Sequence, residues 1–432
     1  VHQPTLKILP ELCDGRMHCM QVCPTQAIRI RQGKAFLLAE HCVDCGRCEK
    51  VCPHHAIVPH SAAFADLEKF KYLVAVPSAA LFGQFPRQYS PEEIQQALTR
   101  IGFHEAADIA QACEWVSWAI REYIQDFSGP RPLISSFCPV VVRLIQLQYP
   151  SLIDQVIPIK GPELVAVEIL KQARSISSRR PSASFDAIYI TPCPAMVPRP
   201  AETGESASRS IAGAVSIRDL YNPLLAFLSQ QPDAYRWPMP TMGKGLRWAR
   251  PGGSGMALRE HPWICVSGLS ETMAVLEDIE SGKLRDTEYA ECWSCRGGCI
   301  NGTFTVENYY LAYHKIVLLE QRILNLPHLN VDQLRKYFQQ GFFTLDQRPR
   351  PGLPRGGEST LMEALARRRQ KEQALAALPM INCCICGAPN CQCLAEDISR
   401  GEAKLTDCVF YSHEKLEELR RIYGLSNGIP PN

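Results

Sequence analysis

Twenty cysteines stand in this chain of 432 residues, and most fall in tight groups, at 13–52, 292–299 and 383–408. Closely spaced thiolates repel one another unless a metal neutralises them, and thiolate is the soft ligand that selects iron–sulfur clusters or zinc. Disulfide staples are the competing reading, but a chain of this size with a 46% hydrophobic fraction has a core large enough to do without them. Disulfide frameworks also rarely gather four thiols locally. The cysteines therefore predict metal centres in a reducing, anaerobic cytoplasm.

Cys42, Cys45, Cys48 and Cys52, followed by Pro53, reproduce the bacterial ferredoxin run C-x2-C-x2-C-x3-C-P, in which the fourth cysteine ligates the other cluster of a pair. Cys42, Cys45 and Cys48 are thus expected to share a [4Fe-4S] cluster with Cys23, with a zinc site as the alternative. The unit is duplicated: Cys23-Pro24-Thr25-Gln26-Ala27-Ile28 returns as Cys52-Pro53-His54-His55-Ala56-Ile57. In the first copy Arg16 fills the slot of the second cysteine. Cys13, Cys19 and Cys52 then remain for the partner site, which suits a [3Fe-4S] cluster or a [4Fe-4S] cluster with a non-cysteine fourth ligand. Asp14 and His18 are the nearest candidates, and a missing cluster is the other outcome. Histidine ligation would raise the potential.

Near the other end, Cys383-x2-Cys386-x4-Cys391-x16-Cys408 resembles a small iron–sulfur domain, with Gly387, Pro389, Ala395-Glu396-Asp397-Ile398, Gly401 and Asp407 also matching. Zinc is again the alternative, and Cys384 and Cys393 read as bystanders. In the middle, Cys138 lies in Ser135-Ser136-Phe137-Cys138-Pro139, Cys193 in Thr191-Pro192-Cys193-Pro194, and Cys295-x3-Cys299 on a glycine-containing loop. Preceded by a ferredoxin unit, these motifs resemble the large catalytic domain of [FeFe] hydrogenases, over about residues 70–310. The likeness extends to Gly102-Phe103, Tyr149-Pro150 and Gly302. It implies that Cys138, Cys193, Cys295 and Cys299 hold the cubane half of an H-cluster.

The hydrogen-activating half departs from that family's pattern. Phe137 replaces the cysteine that delivers protons, Met196 the lysine that contacts the di-iron cyanides, and Arg199 a relay glutamate. Proton transfer needs a titratable group within reach. The resemblance therefore implies a retained cubane and argues against an H-cluster. Either Cys113 is a small buried hydrophobe and Cys292 a loop thiol, or the two help bind a different metal centre in the same pocket. Fifteen of the 20 cysteines are thereby assigned to clusters.

Such residues need strand ends and loops to hold them. Apolar runs at Tyr72–Val76, Pro132–Ser136, Ala187–Thr191 and Trp263–Ser267 read as strands that alternate with amphipathic helices. One helix begins at Ser90-Pro91-Glu92-Glu93, a capping box with proline at the first helical position. The class is α/β: a ferredoxin-like cluster domain (1–60), a hydrogenase-like α/β domain (61–345), a proline- and glycine-rich linker (346–358) and a mostly helical iron–sulfur domain (359–432) that reads as separate. Gly252-Gly253-Ser254-Gly255 reads as a flexible loop, His54-His55 as a solvated turn, and Trp115 with Trp118 as core.

The formal charge of +2, from 46 basic and 44 acidic residues, offers nucleic acid or an anionic membrane no handle. No secretion signal opens the chain, and its longest apolar run, Tyr72 to Phe82, falls short of the roughly 18 residues of a membrane span. The expected cofactors are three [4Fe-4S] clusters and one [3Fe-4S] or atypically ligated cluster. The expected partners are redox proteins or subunits of an electron-transfer complex. A relay subunit without substrate chemistry of its own is the leading reading. The alternatives are a redox or hydrogen sensor acting through a partner, which the lack of a PAS or kinase module after the last cysteine group disfavours, and a divergent hydrogenase or small-molecule reductase with a modified metal centre.

Overall fold

The computed structural model describes residues 3–59, 70–176, 185–197, 211–230, 244–258, 260–322, 330–352 and 361–423. They divide into two compact units. The larger comprises residues 1–6, 43–46 and 59–352, and the smaller comprises 7–42, 47–58 and 353–432. The N-terminal and C-terminal cysteine segments, distant in sequence, thus share one unit, and the boundary at 352 falls inside the predicted linker. The start of that linker is tied down, with the Gly352 amide donating to Gln146 O (2.9 Å) and Gln146 Nε2 to Arg350 O (2.9 Å). Its remainder, 353–358, lies outside the described residues.

Two parallel sheets organise the larger unit. Leu73–Pro77 is buried along its whole length, as a strand covered on both faces must be. It pairs with Glu105–Ala106 on one side and Asp186–Thr191 on the other, and Gly213–Ser216 completes the order. The second sheet runs Trp263–Ser267, Tyr289–Trp293, Leu133–Ile134. The strand expected over Pro132–Ser136 is shorter because its serines are used elsewhere. Ser135 Oγ accepts from the Cys292 amide (2.9 Å) and Ser136 Oγ donates to Ile159 O (3.1 Å).

Helices cover the sheets. Pro91–Arg100 opens with the expected capping box: Ser90 Oγ accepts from the Glu93 amide and the Glu93 carboxylate accepts from the Ser90 amide. Ile109–Asp126 carries Trp115 and Trp118, which pack against Tyr337, Phe338, Phe342 and Phe343 as core residues. No helix among the described residues is long and apolar enough to cross a membrane.

The segment Gly252–Gly255 is not a loose loop but a cradle for a carboxylate. Glu291, 1% exposed, accepts from the Gly252 amide (2.8 Å), the Gly255 amide (2.7 Å), Ser254 Oγ (2.6 Å) and Trp293 Nε1 (2.7 Å). A side chain at Gly253 would meet Arg247 O at 2.2 Å, so the cradle needs its glycine there. Glu291→Ala strands these donors, and we expect it to lower stability by roughly 3 kcal/mol, read as a fall in the denaturant midpoint.

In the smaller unit the hairpin Ile28–Arg31 with Lys34–Leu37 lies against the helix Cys391–Ser399. Asp397 accepts from Arg29 through both oxygens (2.7 and 2.9 Å) and from Arg31 (2.7 Å), with Arg29 and Asp397 each 1% exposed. Such a pair must be fully hydrogen-bonded to be tolerated. Here the Gln26 carbonyl accepts a further Arg29 bond (2.7 Å).

Candidate iron–sulfur sites

Three parallel strands of the larger unit end at cysteines. Leu133–Ile134 leads to Cys138, Asp186–Thr191 to Cys193, and Tyr289–Trp293 to Cys295 and Cys299. The carboxyl ends of parallel strands are where α/β folds place ligands, because the loops there are free to vary while the strands stay fixed. Cys138 caps the helix Pro139–Gln148 and Cys193 the short helical turn Pro194–Met196, each followed by proline, so each sulfur sits at the electropositive start of a turn. The loops are also bound to one another. Phe304 N–H donates to Pro192 O (2.8 Å), and a Cβ on Gly302 would meet that oxygen at 2.2 Å.

The four sulfurs converge. Ser294 Oγ lies 3.4 Å from Cys138 Sγ and 3.8 Å from Cys295 Sγ. The thiols of Cys193 and Cys299 are pushed well up, first by burial and then by the negative charge of neighbouring thiolates, Cys295 and Cys138 for Cys193 and all three companions for Cys299. Four thiolates this close cannot all ionise without a cationic centre among them, and four such sulfurs are the donor set a cubane requires.

Beside Cys299 lies a cavity of about 40 Å³, room for about three waters. Phe137, Met196, Cys113, Glu163, Tyr189 and Trp248 are among its walls. Phe137 stands edge-on to Trp248, ring centroids 4.8 Å apart, and the Tyr189 hydroxyl points to Met196 Sδ at 3.7 Å. Arg199 is outside the described residues. Glu163 keeps part of its surface yet lies deep in the protein. Burial raises its pKa, and among the described residues no side chain bonds its carboxylate. Cys292, expected on a loop, lies instead in the strand Tyr289–Trp293, is 1% exposed and does not line the cavity.

In the smaller unit the duplication is visible atom by atom. The Ala27 amide donates to Cys23 Sγ (3.2 Å) and the Ala56 amide to Cys52 Sγ (3.3 Å). Gln26 and His55 occupy the same left-handed turn position, at φ +54° and +49°. Gly15 and Met17 flank Arg16 at positive φ as Asp44 and Gly46 flank Cys45, so Arg16 does stand where a second cysteine would. Cys13, Cys19 and Cys52 line one small cavity with Asp14, Arg16, His18 and Ile30. Burial, and then the charges of Cys13 and Cys52, push the Cys19 thiol up to about 11. Asp14 is engaged by Arg16 Nε (2.6 Å) and His54 Nε2 (2.8 Å). Of the other cysteines expected to serve as ferredoxin ligands, Cys23, Cys42 and Cys48 belong to the smaller unit, whereas Cys45 belongs to the larger, where its carbonyl accepts from Thr303 Oγ1 (3.3 Å).

The C-terminal group also converges. Cys386 is raised by burial and by the charges of Cys383 and Cys408, and Cys391 sits at the first position of its helix. The bystanders have partners of their own: Cys384 Sγ reaches Pro389 O (3.0 Å) and Cys393 Sγ reaches Gln26 Oε1 (2.9 Å).

These sites and the fold that carries them define a hydrogenase-like iron–sulfur protein. The family model for the C-terminal domain of the iron-only hydrogenase large subunit matches residues 71–200. The LdpA Fe-S cluster-binding domain matches 10–63, and a model described as an Fe-S cluster matches 378–410. Subunit HndD of the NADP-reducing hydrogenase of Solidesulfovibrio fructosivorans is 26% identical over 172 residues, 35% of this chain and 29% of HndD, so the match spans under a third of that protein. The 7Fe ferredoxin of Hydrogenibacillus schlegelii is 36% identical over 52 residues, 12% of this chain and 67% of that one. Through this N-terminal segment the chain belongs to the ferredoxins. A solved [FeFe]-hydrogenase HydA1 variant from Chlamydomonas reinhardtii gives a TM-score of 0.46 at 14% identity, covering 66% of this chain and 96% of that one, too low to bear on the site.

Ser78, which also lines the cavity beside Cys299, Glu163, Tyr189 and Ser294 are not singled out by the sequence. Ser78 and Ser294 carry a usable signal, since they directly follow strands, whereas Glu163 and Tyr189 carry none.

Proposed function

We propose that this protein is an electron-transfer subunit of a redox complex, passing single electrons through iron–sulfur clusters and lacking a functional H-cluster. Cys138, Cys193, Cys295 and Cys299 would hold one cubane, Cys23, Cys42, Cys45 and Cys48 a second, and Cys383, Cys386, Cys391 and Cys408 a third. Cys13, Cys19 and Cys52 would hold a [3Fe-4S] or atypically ligated cluster, a count in keeping with the similarity to a 7Fe ferredoxin. Bound there, the clusters supply reversible one-electron chemistry. The chain's own part is to bury the sulfurs, fix their spacing and aim amides such as those of Ala27 and Ala56 at them. The similarity to a hydrogenase subunit supports a place in a multisubunit assembly.

The observation that carries this reading is the cavity beside Cys299. Its walls include Phe137 and Met196, a phenyl ring and a thioether that can neither deliver a proton nor donate a hydrogen bond to a cyanide. Anaerobically purified protein is expected to show cluster signals in electron paramagnetic resonance and no infrared stretches from iron-bound carbon monoxide or cyanide. The appearance of such stretches would overturn the reading.

One feature favours a second reading, a modified metal centre: Cys113 and Glu163 face the same cavity. Among the described residues, however, no three His, Cys, Asp or Glu side chains are arranged to hold a single ion. Loss of a metal or a cluster signal in Cys113→Ala would support this reading over the simple relay.

A further inference from the structure

The smaller unit brings two cysteine sites to opposite sides of one strand. Ile30, in the strand Ile28–Arg31, lines the cavity of Cys13, Cys19 and Cys52. The same residue's amide donates to Gly387 O (2.8 Å), one residue beyond Cys386, and Arg31 Nη1 donates to Cys386 O (3.0 Å). Gly387 lies at φ +76°, and a Cβ on it would come within 2.0 Å of Ile30 O. The two backbones touch because no side chain separates them. A single residue, Ile30, therefore stands between the incomplete ferredoxin site and the backbone of a C-terminal ligand.

We propose that the strand Ile28–Arg31 carries electrons directly between the Cys13, Cys19 and Cys52 site and the Cys383, Cys386, Cys391 and Cys408 site, making these two centres consecutive stations. This rests on reading both sites as clusters. In each transfer one centre gives up one electron and the other accepts it, no bond forms or breaks, and no proton is required. Tunnelling falls off exponentially with distance and is favoured through hydrogen bonds over gaps, so the Ile30 to Gly387 contact provides a short route. Arg29 and Asp397 act as positioning residues: their buried pair fixes the C-terminal helix against the strand, so the gap stays constant.

The test uses the full chain, purified anaerobically, with iron counted at every step. In the unmodified protein with both centres paramagnetic, the signal of the Cys13, Cys19 and Cys52 site is expected to relax several-fold faster than in Cys391→Ala/Cys408→Ala protein, which keeps only two of the four thiolates and loses its C-terminal centre. Gly387→Ala, which forces the two backbones apart, is expected to slow electron transfer between the centres several-fold after flash reduction while iron content holds. Equal relaxation in the unmodified and Cys391→Ala/Cys408→Ala proteins, with iron confirming both centres in the former and loss of the C-terminal one in the latter, would overturn the inference and leave the cluster reading intact. Absence of iron from either site would instead remove the cluster reading, and this inference with it.

Discussion

Cys193→Ala protein will lose about one to four irons per chain, as its site falls to three thiolates, and one set of magnetic signals will change or vanish while those of the other clusters stay unchanged. Cys193 is the position of choice because no spare thiol stands ready to replace it. The charges that act on its sulfur are those of Cys295 and Cys138, both already ligands in this reading. At Cys299 the thiol of Cys113 lines the same cavity, and at Cys138 the thiol of Cys292 is close by. Substitution at either of those positions would be open to rescue. The thermal midpoint should fall as well, because the free energy of holding a metal centre is part of the free energy of folding. Iron content equal to that of the unmodified chain would exclude a cluster on Cys193.

The second large effect lies in the smaller unit. Asp397→Ala removes the partner of Arg29, which is 1% exposed and has nowhere to take its charge. Stranding one member of a buried pair costs about 3–5 kcal/mol. Chemical denaturation followed by helical signal should register that loss in the transition of the smaller unit. The double variant Arg29→Met with Asp397→Leu is expected to recover most of it, since apolar replacement of both partners is often neutral or better. Failure of the double variant to recover would mean that Arg31, which also binds Asp397, carries more of the contact than geometry suggests.

Much of this was legible along the chain because the chemistry is local. The ferredoxin run, the duplicated Cys-Pro units and the C-terminal group announce themselves by spacing. The strands ahead of Cys138, Cys193 and Cys295 announce themselves by apolar runs. What stayed hidden depends on contacts between distant residues. Nothing near Arg29 signals a carboxylate at 397, so the C-terminal segment read as a separate domain although it shares a compact unit with the hairpin. Gly252–Gly255 read as flexible because glycines alone say only that the backbone is free. The Glu291 carboxylate that orders them arrives from another strand. Glu163 was passed over for the same reason, since a lone acidic residue at a helix start is usually capping its own turn.

Arg16 sits in a backbone mould identical in handedness to the one around Cys45. The fold has thus kept the shape of a full binding loop at a place where one ligand is gone. Such a loop separates two properties that usually travel together: architecture is written in the main chain, whereas the number of irons a loop can retain is written in one side chain. If both loops hold clusters as proposed, a single substitution at position 16 would change the iron count of one centre without disturbing the backbone that surrounds it.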